Sequence, residues 1–316
     1  MSDTSSEPIR AGFGRGLVKA GQLDHNVVAC CADLTGSVKM DGFQKEFPDR
    51  FFQIGVAEQN LVTVGAGLAA AGKVAFVSSY AAFMPGRCWE QIRTTICLNE
   101  QPVKLIGAHA GISVGPDGAT HQMLEDIALM RALPNMVVLA PCDSIEAEKA
   151  TLAMAKDKRP NYMRMAREAT PIITDEKTPF QIGPAYVLEK GADVTLIATG
   201  TMTPQAVKAA ELLYKDGIEA EVVHVPTIKP LDVKTILQSL KKTGCVVTAE
   251  EAQITGGLGS AVAEVIADEG LAVPLIRIGM KDQFGESGDP EQLMHHFGLD
   301  AQHIRLAAHA AVERKK

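Results

Sequence analysis

Apolar positions along the chain come in short continuous runs, and helical patterns stand between them. Strands are predicted at 26–33 (NVVACCAD), 51–55 (FFQIG), 74–80 (VAFVSSY), 103–110 (VKLIGAHA) and 136–142 (MVVLAPC), with helices near 9–21, 57–71, 84–99, 122–131 and 143–156. Continuous apolar runs mark strands buried on both faces, so the pattern predicts a mostly parallel sheet covered by helices on each side. The segment 165–183 carries prolines and mixed charge without a helical period and reads as a linker. A second alternation follows, with strands at 193–200, 219–227, 244–251 and 274–280, helices at 204–215, 231–240 and 258–269, and a last helix with a basic end. The fold class is therefore α/β in two domains, residues 1–176 and 177–316, each a mostly parallel sheet with helices on both faces.

One handover from strand to helix stands out. GVAEQN (55–60) places a carboxylate, Glu58, between the FFQI run and a helix of small and apolar residues with almost no polar face. A carboxylate there is favoured by the helix dipole alone. Its apolar surroundings also suit a buried acid that binds or protonates a ligand nitrogen. Composition narrows the setting. The 316 residues are 46% hydrophobic and 22% charged with a net charge of -7, which is ordinary for a globular protein and gives no overall polyanion-binding character, so no nucleic-acid partner is expected. The six cysteines form no CxxC pair and read as reduced core thiols. No signal-peptide pattern and no apolar run long enough for a span occurs, so a cytoplasmic protein without membrane contact is expected.

Candidate chemistry gathers at the ends of predicted strands, where open α/β sheets bind ligands. GISVGPDGATHQMLED (111–126) brings four glycines, Asp117 and His121 between a strand and a helix, and His109 ends the preceding strand. Two imidazoles and a carboxylate at one edge favour a polar substrate pocket; no HxxxH or cysteine partner marks a metal site. Tyr80 and Phe83 are either core packing or an aromatic slot for a flat ring. Asp33 and Ser37 follow another strand, and Arg10, Arg164 and Arg167 are surface arginines or phosphate ligands. The loop Gly256-Gly257-Leu258-Gly259 departs from the dinucleotide fingerprint, so nucleotide binding is not expected there.

In their order, ADLTGS (32–37), IGVAEQN (54–60), DGATHQ (117–122), APCDS (140–144) and VVTAEEAQITGGLGSAVAEVI (246–266) resemble the C-terminal half of transketolase across nearly the whole chain. The resemblance implies a pyrimidine-binding thiamine diphosphate domain, then a transketolase C-terminal domain, and transfer of a two-carbon ketol unit from a ketose phosphate to an aldose phosphate. By it, Glu58 meets the pyrimidine ring nitrogen of thiamine diphosphate, Tyr80 and Phe83 hold that ring, and Asp33 lies near the cofactor. His109, Asp117 and His121 face the sugar, the two histidines moving protons, and Arg10, Ser37 and Arg167 hold the substrate phosphate. Pro85-Gly86 departs from the aromatic stretch the family carries after Phe83. The family's GDG segment with its following asparagine, which binds the diphosphate through Mg2+ or Ca2+, is not in this chain. The resemblance therefore implies one subunit of a split enzyme, as the polar start MSDTSSEP also leads one to expect. A partner chain would carry the metal site, two copies of each chain would form a heterotetramer, and the apolar helix at Glu58 would be buried between copies. Such an enzyme serves the pentose phosphate pathway or a dedicated catabolic route. The alternatives are a 1-deoxyxylulose-5-phosphate synthase-like subunit, a 2-oxo acid dehydrogenase beta-like subunit and a non-catalytic homologue.

Overall fold

Two parallel sheets, each sandwiched by helices, follow one another along the chain in a computed structural model that describes residues 5–315. Met1–Thr4 of the polar start and Lys316 at the basic end lie outside the described residues. The strands are β1 (Ser6–Pro8), β2 (Val27–Cys31), β3 (Phe51–Gln53), β4 (Val74–Tyr80), β5 (Lys104–Ala108), β6 (Val137–Leu139), β7 (Asn161–Arg164), β8 (Ala169–Pro171), β9 (Tyr186–Glu189), β10 (Val194–Ala198), β11 (Ala220–His224), β12 (Thr227–Lys229), β13 (Val246–Gln253) and β14 (Leu275–Met280). The first sheet has the order β12-β6-β7-β5-β4-β2-β3 and the second β14-β13-β10-β11-β9. Both are parallel apart from the edge strands β12 and β9.

Burial on both faces explains the unbroken apolar runs. In β2, Val28 and Cys30 enter one core layer while Val27, Ala29 and Cys31 enter the layer on the other face. Adjacent Cys30 and Cys31 thus point apart, and all six cysteines are free and buried. Burial raises the thiol pKa of Cys30 and of Cys88 to about 12, so both are inert core hydrophobes. The helices Ile9–Leu23 and Ser144–Lys156 lie so close that a side chain on Gly12 would overlap the Ser144 carbonyl.

Three features differ from the sequence reading. β7 lies inside the first sheet although its polar ends hide it from an apolar pattern. Those ends are matched by buried partners: Asn161 Oδ1 accepts from Lys104 Nζ at 2.7 Å, and Arg164 Nε donates to Asp126 Oδ2 at 2.9 Å. Within the presumed linker, β8 pairs with β1 and ties the segment back to the chain's start. β12, from beyond the linker, completes the edge of the first sheet. The domains are further joined by His224 Nε2 on Glu146 Oε2 at 2.8 Å and by Arg131 on the Gly256 carbonyl at 2.6 Å.

The topology gives the site its place. The chain runs from β2 to β3 on one side and returns to β4 on the other, a switch point between β2 and β4 where the carboxyl ends of adjacent strands open a crevice. Across β7-β5-β4-β2-β3 those ends lead to Arg167, His109, Tyr80, Asp33 and Glu58 in turn.

Candidate active site

Glu58 opens the helix Glu58–Ala70 and is 2% exposed. Its Oε1 accepts from Ser79 Oγ at 3.2 Å, and its Oε2 pairs with Arg87 Nη1 at 2.8 Å. Arg87 is half exposed, and its guanidinium lies 5.1 Å above the Phe83 ring. Phe83 stacks on Tyr80 with centroids 5.8 Å apart, and Tyr80 stacks on His109 at 3.9 Å. His121 meets Phe83 edge-on at 5.3 Å, with its Nδ1 on Thr120 Oγ1 at 2.9 Å. The acid, the aromatic pair and both histidines therefore form one contiguous patch.

His109 sits just beyond β5 with φ +57, and Asp33 just beyond β2 with φ +60. These left-handed residues turn the chain sharply as it leaves the sheet. Arg10 Nη1 donates to the Ser37 carbonyl at 2.8 Å and lies 3.2 Å from His109 Nε2. A guanidinium only donates, so Nε2 accepts and the proton of the neutral ring is on Nδ1. That Nδ1 and Arg10 Nε are buried without a partner among the described residues. Arg167 Nη1 donates to the Val114 carbonyl at 3.0 Å and stands 3.9 Å from the Asp117 carboxylate.

Burial first, then Arg10, Arg167 and His121, push the pKa of His109 down to about 3. Folding therefore favours the neutral ring, and the stability this gives is complete above the ordinary value of 6.5 and is lost as pH falls toward 3. On acidification from pH ~7 to pH ~5, melting of the wild type should fall more steeply than that of His109→Gln, which has nothing to titrate there. Parallel melting slopes of the two proteins would refute the assignment.

A cleft of about 910 Å³ lies elsewhere: Ser113, Thr170, Thr201, Lys208 and Glu251 line it, and none of Glu58, Tyr80, Phe83, His109 or His121 does. The glycine loop before the helix Leu258–Asp268 is occupied by the protein itself. The buried Glu250 carboxylate accepts from Leu258 N at 2.7 Å and Gly259 N at 2.8 Å, filling the place of a phosphate at a nucleotide-binding helix start.

The transketolase pyrimidine-binding domain family matches residues 7–172, and the transketolase C-terminal domain family matches residues 183–304. The chain belongs to the transketolase family. A chain of Methanocaldococcus jannaschii, named as a transketolase C-terminal section, is 48% identical over 298 residues, which are 94% of this chain and 93% of that one. The 6-deoxy-6-sulfo-D-fructose transketolase subunit SqwH of Clostridium sp. MSTE9 is 42% identical over 299 residues, 95% of this chain and 92% of the relative. A solved structure titled as a split gene transketolase in an inactive beta4 tetramer superposes with a TM-score of 0.92 at 42% identity, covering 98% of this chain and 99% of the other. The protein is thus a transketolase-type enzyme subunit, a homologue of split-gene transketolases, and its family is thiamine diphosphate-dependent.

Within this transketolase subunit, the structure joins Glu58, Tyr80, Phe83, His109, His121, Arg10 and Ser37 through direct contacts, and Arg167 with Asp117 beside them. Ser37 meets Arg10 through its carbonyl. Asp33 shares the edge but is exposed, its N–H bonded to Gln53 Oε1 at 2.7 Å. In the single chain the helix after Glu58 leaves Gln59, Asn60, Gly67 and Ala70 exposed. Arg87 and Ser79 were missed. Nothing local in the sequence marks Arg87 as the partner of an acid 29 residues earlier. It stands where Pro85-Gly86 interrupts the family's aromatic stretch, and its guanidinium covers Phe83 there.

Proposed function

We propose that this chain, with a pyrimidine-binding domain at 1–176 and a C-terminal domain at 177–316, transfers a two-carbon ketol unit from a ketose phosphate to an aldose phosphate. It works with a partner chain whose GDG segment and asparagine hold the diphosphate of thiamine diphosphate through Mg2+ or Ca2+. The observation that carries the reading is the buried Glu58 carboxylate joined, at one sheet edge, to a stacked aromatic pair and two histidines.

These residues fit the cofactor. Tyr80 and Phe83 offer ring faces for a flat heterocycle, and Glu58, with Asp33 at the neighbouring strand end, supplies the acid toward it. When bound, thiamine diphosphate supplies the nucleophilic carbon that attacks the ketose carbonyl. Glu58 would share a proton with the nitrogen of that ring; its Oε2 is paired with the half-exposed Arg87. Neutral His109 stands beside the sugar, and His121, whose Nδ1 is held by Thr120, moves a proton with Nε2. Asp117 binds sugar hydroxyls. Arg10 and Arg167, with Ser37 beside them, attract the phosphate; after burial, Arg167 lowers the pKa of Arg10 and both cations lower that of His109, a repulsion that a bound anion relieves.

The helix face of Gln59, Asn60, Gly67 and Ala70, extended by Val56 at 76% exposure, is the surface a second copy would cover to give a dimer of heterodimers. Free, buried thiols suit a cytoplasmic enzyme of pentose phosphate type. No helix among the described residues is long and apolar enough to cross a membrane. Co-expression with a GDG-bearing partner should yield thiamine diphosphate- and magnesium-dependent ketol transfer from xylulose 5-phosphate to ribose 5-phosphate, and either chain alone should yield none. The inactive beta4 tetramer of the split-gene relative supports that expectation. Turnover by this chain alone would remove the need for a partner, and an inactive pair would overturn the assigned reaction.

A further inference from the structure

The loop that carries the sugar-facing residues is held from the other domain. Glu251 stands on β13 and is 1% exposed. Its Oε1 accepts the Ser113 N–H of the first domain at 2.7 Å, and its Oε2 accepts the Thr201 hydroxyl of the second at 2.5 Å. Its backbone carbonyl accepts from Nη2 of Arg164, the last residue of β7 in the first sheet, at 3.1 Å. Gly111 makes the approach possible. It has φ +97, and a Cβ there would overlap Glu251 Oε1. Any other residue would be strained in its own backbone and would push the carboxylate away.

The tie falls at a telling point. Ser113 is four residues beyond His109 and within the 3-10 turn Ile112–Asp117. A buried carboxyl group accepting two hydrogen bonds is held in place, because losing either one would leave an oxygen unsatisfied in the interior. Gln122 Nε2 also reaches across, to the Glu286 carbonyl at 3.0 Å and to the loop's own Ile112 and Gly115 carbonyls.

We propose that Glu251 is a positioning residue for the sugar-binding loop: it fixes the backbone at 111–113 and through it the placement of His109 and Asp117. The C-terminal domain thereby sets the geometry in which the pyrimidine-binding domain meets its substrate. This inference rests on the proposed function only for the identity of the ligand, since the loop's rigidity is a property of the chain itself.

Two measurements test it. In the full chain, Glu251→Ala should speed amide hydrogen exchange across residues 111–122 by about tenfold or more, with β2, β4 and β5 unchanged. Glu251→Gln keeps an acceptor for Ser113 N–H and should restore most of the protection, whereas Gly111→Ala should reproduce the loss. In the complex with the partner chain, Glu251→Ala should raise the KM for the donor sugar phosphate and lower kcat by roughly tenfold to a hundredfold, with thiamine diphosphate affinity by calorimetry unchanged. Unaltered exchange at 111–122 in Glu251→Ala and Gly111→Ala would overturn the proposal, as would a Glu251→Gln variant as impaired as the alanine. Should Glu251→Ala unfold, the glutamine and Gly111 variants decide. A wild-type complex without activity would defeat the proposed reaction and leave the exchange result to stand or fall separately.

Discussion

Replacing Glu58 with glutamine is expected to lower kcat of the assembled enzyme by about a hundredfold or more, the range in which a positioned acid contributes. Glutamine keeps the size of the side chain and an oxygen for the Ser79 hydroxyl, but it cannot give or take a proton at the position of Oε2. The fold should survive. The ion pair with Arg87 has one partner half in solvent, and such pairs contribute at most about 1 kcal/mol. Melting temperature and partner binding should therefore match the wild type while turnover collapses. Arg87→Ala provides the contrast, because it strips the ion pair and leaves the acid; it should retain far more activity than Glu58→Gln. A Glu58→Gln enzyme turning over at the wild-type rate would remove Glu58 from the chemistry.

The largest effect on stability is expected at Asp126, which lies in neither sheet. Its Oδ2 accepts from Arg164 Nε at 2.9 Å and from the Tyr162 hydroxyl at 2.8 Å, and its side chain is 0% exposed against 8% for Arg164. Asp126→Ala leaves a buried guanidinium without the carboxylate that is hydrogen-bonded to it, a change that costs about 3–5 kcal/mol. Replacing both partners, as in Asp126→Leu with Arg164→Met, should recover much of the loss, since neither member of the pair is then left without the other. Chemical denaturation of the two single variants and the double variant gives the coupling. A loss below about 1 kcal/mol for Asp126→Ala would show that water reaches the pair. Arg164 also donates to the Glu251 carbonyl, so this ion pair anchors the same domain contact that holds the sugar loop.

Both substitutions act on residues whose partners no local pattern could have named. The sequence led to Glu58 through its helix, to the aromatic pair through their spacing, and to the histidines through the glycine-rich loop. It did not lead to Arg87, Ser79 or Glu251. β7 does not stand out among the apolar runs for a related reason. NYMR does not look like a strand until Lys104, Asp126 and the ends of the strand are seen to satisfy one another. Burial draws the pKa of Lys104 down to about 7, and its three interior acceptors show what it takes to keep an amine there.

By itself the sequence determined the two α/β units and the position of Asp33, Tyr80 and His109 at strand ends. Burial on both faces demands continuous apolar runs, and turns between strand and helix demand glycine and polar residues, so both are written locally. The tertiary structure alone decided which strand ends are neighbours, that β12 completes the other domain's sheet, and which buried charge answers which. Those outcomes depend on strand order and on groups brought together from far along the chain. A buried carboxylate is satisfied by whatever donor the fold delivers, and for Glu58 that donor is Arg87.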